Sequence, residues 1–355
     1  MPTRYSYKMK LLTIIIPTYN MERYLDKCLS SLIICDPKLL QQLEVLVIID
    51  GATDRSSQIA HSYQDRYHDV FITLDKENGN YGSCINTGLQ IATGKYVKVL
   101  DADDSFDTVN FEDYLKFLGD VDVDMVITPY KMVDEAGTEK RCEKYDLPVN
   151  IPLTWKQLSP AFKKKSLQMH AVTYKRQNLI DIHYRQTEGI SYTDQEWIFT
   201  PLITVDTAIA YPHAIYMYLV GREGQTMNPD AIKRNISHNE QCCCRIVRDY
   251  KSFHKFEPFK QEYIDYKFKA TLTAMYNWYL LRFPDLDINR LIQYDDYVKS
   301  IDASYIDILD EQTLKYTKYK LIKRWHKNRK KRIRICPMYH WYAWLMSKLY
   351  SVYAR

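Results

Sequence analysis

Three aspartates follow an apolar strand in the segment VKVLDADDSF, residues 97–106. Asp101, Asp103 and Asp104 lie within one turn of chain, where like charges repel and each carboxylate must be hydrated or paired. Carboxylate oxygens are the ligands that Mg²⁺ and Mn²⁺ prefer, and these ions often share their coordination sphere with substrate phosphates. The segment therefore predicts a divalent-cation site. A solvated turn or a helix N-terminus is the alternative, because aspartate is favoured in both.

The elements that must hold these aspartates lie in the first 130 residues. Short β-branched runs such as TIIIPTY and LEVLVIID alternate there with helix-period segments such as DRSSQIAHSYQDRY. This alternation predicts βαβ units around a mostly parallel sheet that is covered on both faces. In the first helical segment, NMERYLDKCLSSLI, Asn20 is the predicted N-cap. The apolar face of that helix has the spacing of Leu25, Cys28, Leu29 and Leu32.

Three strand ends in this region carry polar groups. The sequences are PTYN from Pro17, DGATD from Asp50 and DADD from Asp101. Open parallel sheets bind their ligands beyond the carboxyl ends of the strands. We therefore expect these three segments to converge on one edge of the sheet.

The ordered set of motifs resembles a known family. TIIIPTYN, LEVLVIIDGATDRS and KENGNYGSCINTGLQIATGKYVKVLDADD are similar to the N-terminal, nucleotide-binding half of family 2 glycosyltransferases, inverting enzymes of the GT-A fold. The resemblance is strong over residues 11–115 and looser to about 228. It implies the α/β fold class, with a Rossmann-like, mostly parallel sheet flanked by helices and followed by a C-terminal helical region. The expected boundaries are 1–230 for the GT-A domain (nucleotide-binding half 11–115, acceptor half 116–230), 231–311 for the helical region and 312–355 for a basic, aromatic, amphipathic tail.

The resemblance also implies roles for individual residues. The first strand end, which lines the nucleotide pocket in the family, matches Pro17, Thr18, Tyr19 and Glu22. Asp50 matches the acid that contacts the base, and Asp54 follows it in the same loop. Asp101 and Asp103 match the DxD pair: the first lies near the ribose and phosphates, and the second binds a Mn or Mg ion.

The same comparison suggests groups near the diphosphate. Arg222 and Gln225, in the segment AIAYPHAIYMYLVGREGQTM, are expected to approach phosphate. His213 is expected to be a further metal ligand or an acceptor contact, or else a satisfied polar residue beside a proline. His170 leaves the same two interpretations open.

An inverting displacement needs a base on the far face of the sugar to take the proton of the acceptor hydroxyl. In GISYTDQEWIFTP the family's base position is best matched by Asp194, with Glu196 as the alternative and Glu188 as a weaker third. The structural alternative is that Asp194 caps the following helix and Glu196 lies on a solvated face.

Two positions depart from the family pattern. Ile49 replaces the first of the usual two acids after the second strand, which removes one nucleotide contact. Ile85 stands where an arginine is often seen, which affects packing or a phosphate contact. Neither change touches the expected metal site or base.

Cysteine usage and hydropathy predict a cytosolic protein. The eight cysteines show no CxxC pairing and no small-domain disulfide framework, which indicates reduced thiols. The N-terminal apolar run is cut by Pro17 after six residues, too short for the core of a signal peptide. No run reaches the roughly 18 apolar residues of a membrane-spanning helix.

The charge is divided unevenly along the chain. Residues 312–355 carry 13 Lys and Arg and no acid, whereas residues 1–311 carry 36 basic and 44 acidic residues. After the basic stretch, apolar side chains at helical spacing are Met338, Trp341, Leu345, Leu349 and Val352. A basic segment beside an aromatic amphipathic helix predicts contact with an anionic membrane surface at the inner face of the cell membrane. The alternative is a helix docked on the acidic body, and no nucleic-acid module accompanies the charge.

The sequence as a whole predicts a metal-dependent inverting glycosyltransferase. Its donor would be a nucleotide sugar, UDP-linked, and its acceptor a polysaccharide, oligosaccharide or lipid-linked glycan. A sugar nucleotidyltransferase is disfavoured because PTYNMER lacks the glycine of a phosphate loop. A non-catalytic, membrane-associated partner of a glycan assembly complex is the remaining alternative.

Overall fold

The structure, a computed structural model, describes residues 10–222, 229–283, 285–314 and 317–329. The chain divides into two compact units, Met1–Gln225 and Thr226–Arg355. The described part of the first unit is α/β, and that of the second is helical. This arrangement confirms the fold class expected from the sequence.

The first unit contains two sheets. Their strands are β1 (Leu12–Thr18), β2 (Leu43–Asp50), β3 (Phe71–Lys76), β4 (Tyr96–Val99), β5 (Ser105–Phe106), β6 (Met125–Ile127), β7 (Tyr130–Val133), β8 (Glu139–Glu143), β9 (Pro152–Leu153), β10 (Val172–Lys175), β11 (Ala208–Ala210) and β12 (Tyr216–Leu219). The larger sheet has the order β3-β2-β1-β4-β10-β6-β11-β9, and the smaller has the order β5-β12-β7-β8.

The larger sheet explains the buried apolar runs of the sequence. β1 pairs in parallel with β2 and with β4, with Ile15 opposite both Leu46 and Val99. Every residue of β2 is buried, as expected for a strand covered on both faces. Since β1, β2 and β4 are parallel, the polar segments that follow them lie at one edge of the sheet, as the sequence predicts. β10 reverses direction and is antiparallel to both β4 and β6.

The smaller sheet extends this edge. β5 begins directly after the third aspartate of DADD and pairs antiparallel with β12. β12 in turn lies parallel to β7. The chain that follows β12 is therefore held beside the aspartate cluster.

Helices cover the sheets of the first unit. They are α1 (Leu25–Ser30), α2 (Pro37–Leu40), α3 (Ser56–Arg66), α4 (Asn80–Ile91), α5 (Thr108–Asp120), α6 (Trp155–Lys164), α7 (Arg176–Asp181) and α8 (Asp194–Trp197), with short 3₁₀ turns at Met169–Ala171 and Thr200–Thr204. The four apolar residues predicted for the face of α1 are completely buried.

The predicted start of the first helix is wrong. The helix begins at Leu25, and its N-cap position is Tyr24. Asn20 instead has a left-handed backbone, with φ of 52°, and its side-chain oxygen accepts a hydrogen bond from the backbone of Thr53. Asparagine tolerates this conformation and is favoured both in turns and at helix starts. The residues after β1 therefore form a loop although their sequence resembles a helix start.

The second unit is a bundle of helices. They are α9 (Pro229–Arg234), α10 (Ile236–Ser252), α11 (Pro258–Asn277), which continues into a π-helical turn at Trp278–Arg282, α12 (Ile288–Ile301), α13 (Ser304–Glu311) and α14 (Leu321–Lys327). The helical region predicted over 231–311 is interrupted at 253–257. Pro258 occupies the first turn of α11, where the missing N–H costs nothing.

The described beginning of the basic tail packs within this bundle. Leu321, Ile322 and Trp325 of α14 are buried. The described residues include no helix with the length and hydropathy needed to cross a bilayer. The amphipathic segment predicted around 338–352 lies outside the described residues.

Candidate active site at the carboxyl edge of the sheet

The loops after β1 and β2 are joined by reciprocal hydrogen bonds. The backbone N–H of Glu22 donates to Asp54 Oδ2 at 2.9 Å. The Glu22 carboxylate in return accepts from the backbone N–H and from Nε of Arg55, at 3.0 and 3.2 Å. These bonds explain why Glu22 and Asp54 occur together, and they fix the shape of one wall of the edge.

The strand ends themselves present different groups. Pro17 and Thr18 belong to β1, and the Thr18 hydroxyl donates back to the carbonyl of Ile16. Tyr19 follows with half of its surface exposed. A flat, accessible ring at this place suits stacking against a base.

Asp50 closes the end of β2. Its Oδ1 accepts from Lys76 Nζ at 2.7 Å and from the backbone N–H of Gly79 at 2.9 Å, and the residue is almost completely buried. The backbone of Gly51 has φ of +71°, and a Cβ there would lie 3.0 Å from the backbone nitrogen of Asn78. The turn therefore requires glycine, and it brings residues 76–79 against Asp50.

The three aspartates of DADD have three different partners. Asp101 Oδ1 accepts from the Tyr81 hydroxyl at 2.8 Å. Asp103 Oδ2 accepts from Arg222 Nε at 2.5 Å. Asp104 is only 2% exposed and accepts from the Tyr216 hydroxyl and from a β12 backbone N–H, at 2.6 and 2.7 Å. Asp104 thus ties β12 to the end of β4, whereas the other two face the edge.

Burial and mutual repulsion dominate the electrostatics of this cluster. Burial, and then the charge of Asp103, raise the pKa of Asp101 to about 7. Burial, Asp103 and Asp101 raise the pKa of Asp104 well above its usual range. Burial and Asp101 also raise the pKa of the Tyr81 hydroxyl. The site has more negative charge than its neighbours compensate, which favours the binding of a cation.

Asp194, the predicted base, lies close enough to Asp101 and Tyr81 for its charge to act on both. It is the first residue of α8, and its carboxylate contributes to the raised pKa values of both Asp101 and Tyr81. Two segments that are some ninety residues apart in sequence are therefore brought together.

The two alternative bases have structural contacts. Glu196 is 1% exposed, and its Oε2 accepts from the backbone N–H of Thr187 at 2.8 Å. Glu188 Oε1 accepts from Asn86 Nδ2 and Arg185 Nη2, at 2.7 and 2.8 Å. Both carboxylates thus hold the loop that leads into α8.

Histidines occupy two different environments. His213 is exposed, and its ring packs edge-on against Tyr211 with centroids 5.6 Å apart. A ring nitrogen of His170 instead lies within 4.8 Å of one carboxylate oxygen each of Asp101 and Asp104. Burial, and then the charge of Lys98, lower the pKa of His170 to about 3, so its imidazole is neutral. Within the described residues, the histidine brought to the acids is His170 and not His213.

These side chains fit a divalent cation. Carboxylate oxygens and a neutral imidazole are the donors that Mn²⁺ and Mg²⁺ sites use, with carboxylates preferred. Gln225, expected near phosphate, lies outside the described residues.

Sequence reasoning did not identify Tyr81 and Lys98. Tyr81 lies in the first turn of α4, where the polar run KENGN before it gives no sign of a contact with DADD. Lys98 is completely buried on β4 and donates to the carbonyls of His170 and Val172, at 2.8 and 3.1 Å. A lysine within the apolar run YVKVL was the available signal, because a buried amine needs such partners.

The fold defines a class of protein, an α/β domain of the GT-A type. The sequence model described as Glycosyl transferase family 2 matches residues 13–178. This part of the chain, slightly less than half of it, is similar to that family.

Curated relatives carry the same type of name. A glycosyltransferase of Mycoplasma pneumoniae, the MG025 homolog, is 42% identical over 98 residues, which cover 27% of this chain and 32% of that protein. The poly(ribitol-phosphate) beta-N-acetylglucosaminyltransferase TarS of Staphylococcus aureus is 27% identical over 225 residues, or 62% of this chain and 37% of TarS. The chain therefore spans less than half the length of these relatives.

Solved structures agree on the fold. A crystal structure of the S. aureus TarS fragment 1–349 with UDP-GlcNAc superposes with a TM-score of 0.63, at 19% identity, over 90% of this chain and 92% of that one. The mannosyltransferase PcManGT of Pyrobaculum calidifontis, in complex with GDP-Man and Mn²⁺, gives a TM-score of 0.50 at 17% identity, over 91% and 84%.

Proposed function

We propose that this protein is a metal-dependent, inverting glycosyltransferase that moves a sugar from a nucleotide-sugar donor to a hydroxyl of a glycan or lipid-linked acceptor. The observation that carries the proposal is the convergence of Asp101, Asp103 and Asp194 at the carboxyl edge of the sheet. That edge is where α/β folds of this kind bind their ligands.

Different strand ends recognise different parts of the donor: the ends of β1 and β2 bind the base, and the DADD segment after β4 binds the diphosphate. Tyr19 offers its exposed ring to the base. Asp50, which is 3% exposed and whose Oδ1 accepts from Lys76 and Gly79, would accept an N–H of the base at the end of β2. Asp103 and Asp101 would hold a divalent cation, and His170 lies beside Asp101. Such a cation would act as a Lewis acid on the negative charge of the departing nucleoside diphosphate.

Asp194 takes the proton of the acceptor hydroxyl. General bases of this kind have to lie within hydrogen-bond reach of the nucleophile, and α8 presents Asp194 on the side of the DADD segment. The carboxylate of Glu196 is buried and engaged with the loop at Thr187, which supports Asp194 as the base. Glu196 then serves to hold that loop.

Relatives support a nucleotide-sugar donor and a metal. TarS was crystallised with UDP-GlcNAc and also with UDP. The PcManGT structure is a complex with GDP-Man and Mn²⁺. We therefore propose a UDP-sugar as donor and Mn²⁺ or Mg²⁺ as cofactor.

The basic tail, 312–355, is proposed to hold the protein at the inner face of the cell membrane. In its described part, α14 buries one face and keeps Arg324 and Lys327 exposed. Exposed basic side chains beside an aromatic segment favour an anionic lipid surface. Flotation with vesicles containing anionic lipid tests this. The full chain should bind, and equal binding by a chain that lacks 330–355 and carries Arg324→Gln and Lys327→Gln would contradict the proposal.

The experiment that tests the enzymatic function is a donor screen. The full chain is incubated with a panel of UDP-, GDP- and CMP-linked sugars and Mn²⁺, and release of nucleotide is followed with and without EDTA. We expect slow, EDTA-sensitive hydrolysis of at least one UDP-sugar, lost in Asp103→Asn. A panel in which no donor is hydrolysed and none raises the melting temperature would contradict the function.

A further inference from the structure

Arg222 pairs with a carboxylate oxygen of Asp103, the same carboxylate that a bound metal ion would need. Its Nε donates to Asp103 Oδ2 at 2.5 Å, and both side chains are 13% exposed. The guanidinium also lies over the ring of Tyr24, with its central carbon 5.5 Å from the ring centroid. The Tyr24 hydroxyl is held in turn by Glu135 at 3.0 Å. Contacts with Asp103 and Tyr24 thus fix the position of the Arg222 side chain beside the acidic cluster.

A guanidinium and a divalent cation compete for this carboxylate. A Mg²⁺ or Mn²⁺ ligand oxygen lies about 2.1 Å from the ion, closer than any hydrogen-bond donor. With the ion in place, a cation still paired with Asp103 would lie close to it and be repelled, and the low exposure of the pair limits screening by solvent. Arg222 therefore has to leave Asp103, at least in part, when the metal enters.

The backbone before Arg222 permits such a movement. Directly after β12, the backbone N–H of Val220 donates to the carbonyl of Val133, at 2.8 Å. Gly221 follows with φ of +85°, and a Cβ at this glycine would have no atom within 4 Å. A glycine in open space beyond the anchored strand allows the next side chain to change direction.

We propose that Arg222 is an exchange cation. In the ligand-free protein it neutralises Asp103, and when the donor and its metal bind it transfers to the diphosphate. This inference rests on the proposed function, because it requires Asp103 to be a metal ligand. It makes the metal alone a weak ligand and couples the binding of metal and nucleotide, since the diphosphate provides the guanidinium with a new partner.

The exchange makes a prediction that a simple phosphate contact does not make. Removing the guanidinium should strengthen binding of the metal alone, because a competitor is lost. The same change should weaken binding of the nucleotide, because a charge-assisted hydrogen bond is lost. The two affinities therefore move in opposite directions.

The experiment measures Mn²⁺ binding to the full chain by electron paramagnetic resonance, without nucleotide. We expect Arg222→Gln to bind Mn²⁺ roughly five- to tenfold more tightly than the wild type, near the low end of typical couplings between sites. Arg222→Lys keeps the positive charge and should stay near the wild type. With Mn²⁺ saturating, the affinity for UDP should fall about tenfold in Arg222→Gln.

Arg23→Gln is the matched control. Arg23 is the neighbouring arginine, pairs with Glu135 and is 70% exposed, so it carries the same charge change away from the aspartates. Its Mn²⁺ affinity should equal that of the wild type. Equal strengthening in both variants would show a general charge effect and overturn the exchange.

Asp103→Asn separates the failure of this inference from that of the proposed function. If Asp103→Asn loses Mn²⁺ binding and Arg222→Gln gains it, both hold. If Asp103→Asn loses Mn²⁺ and Arg222→Gln shows no gain, the exchange is wrong and the metal site stands. If Asp103→Asn binds Mn²⁺ as the wild type does, the metal assignment fails and the exchange fails with it. Circular dichroism of each variant shows that the fold is retained.

Discussion

Each of the two units contains an aspartate whose pKa is shifted, and the two shifts have opposite directions. At the edge of the sheet, Asp101 faces the carboxylates of Asp103 and Asp194, and its pKa is raised to about 7. In the helical unit, Asp295 is 3% exposed and its pKa is lowered. Burial pushes both pKa values upward, so the difference comes from the neighbours.

The neighbours of Asp295 are donors and cations. Its Oδ1 accepts from the Tyr276 hydroxyl at 2.6 Å and lies 2.9 Å from His326 Nε2. Its Oδ2 lies 3.0 Å from Arg329 Nη2. His326 Nδ1 is also 2.6 Å from Asp310 Oδ1, so both ring nitrogens face carboxylates and the imidazolium is the form that satisfies them. These contacts hold α14 on α12 and α13, and the group is called the clasp below; its members are Tyr276, Asp295, Asp310, His326 and Arg329.

The contrast shows where the fold stabilises a charge and where it leaves one for a ligand. A carboxylate that is matched on all sides contributes to stability. A carboxylate surrounded by others lowers stability in the absence of a cation, which proteins tolerate at functional sites. The same residue type thus has opposite roles in the two units.

The largest expected effect is on turnover. Asp194→Asn should lower the rate of sugar transfer by roughly 10²- to 10⁴-fold, the usual contribution of a general base. Binding of UDP and Mn²⁺ should remain close to that of the wild type, because the amide retains the shape of the carboxylate. Steady-state kinetics and calorimetry measure the two effects. A normal rate would contradict Asp194 as the base and shift that role to Glu196.

Substitutions in the clasp should lower the free energy of unfolding. Asp295→Asn removes the carboxylate that Arg329 and His326 share, and losing hydrogen bonds to charged groups typically costs about 1.5–3 kcal/mol. Asp296→Asn is the matched control, since Asp296 also pairs with Arg329 but is 60% exposed. Its loss should cost less than about 1 kcal/mol. Urea unfolding followed in the helical unit tests both, and equal losses would contradict the assignment of the clasp.

The same substitution at the sheet edge should have the opposite sign. Asp101→Asn removes a repelled charge and keeps an acceptor for Tyr81, so the ligand-free protein should gain on the order of 1–3 kcal/mol at pH 8. The folded pKa is raised, so the charge of Asp101 costs the wild type stability as the pH rises from about 4 to about 7. The gain should therefore vanish below pH 4. Asp113→Asn, at a carboxylate 62% exposed on α5, is the control and should show no such pH dependence.

The smallest expected effect is the pH dependence of the clasp. Burial alone would lower the pKa of His326, but Asp295 and Asp310 outweigh it and raise the pKa. Stabilisation by a raised histidine is complete below its unfolded pKa, about 6.5, and is lost as the pH rises through the folded value. The free energy of unfolding should therefore fall as the pH rises through the folded pKa of His326, and His326→Gln should remove this dependence. Identical pH profiles would contradict the charged clasp.

The sequence predicted the parts of this molecule that depend on local patterns. Buried runs such as LEVLVIID, alternating with helical segments, were enough for the parallel core and for the convergence of the strand ends. The start of α1 was missed because Asn20 is equally suited to a cap and to a left-handed turn. The helical second unit was expected from the family resemblance, but its break before Pro258 was not.

The contacts of the site could not be read from the sequence. The pairing of Asp103 with Arg222 spans more than a hundred residues and depends on how β12 meets β5. Asp104 was grouped with the other acids, but its partners lie on β12 and make it a structural tie. The proximity of His170 to the aspartates depends on the antiparallel turn into β10, for which one sequence gives no signal.

Unfolding in the presence of ligand tests the central claim most directly, namely that the unmatched carboxylates at the sheet edge are kept for a metal and a nucleotide. Thermal unfolding of the wild type and of Asp103→Asn is followed with and without Mn²⁺ and UDP. Ligand at a hundred times its dissociation constant should stabilise the wild type by about 2.7 kcal/mol. Asp103→Asn should unfold normally without ligand and lose most of this increment. An equal increment in both proteins, or none in the wild type, would contradict the account.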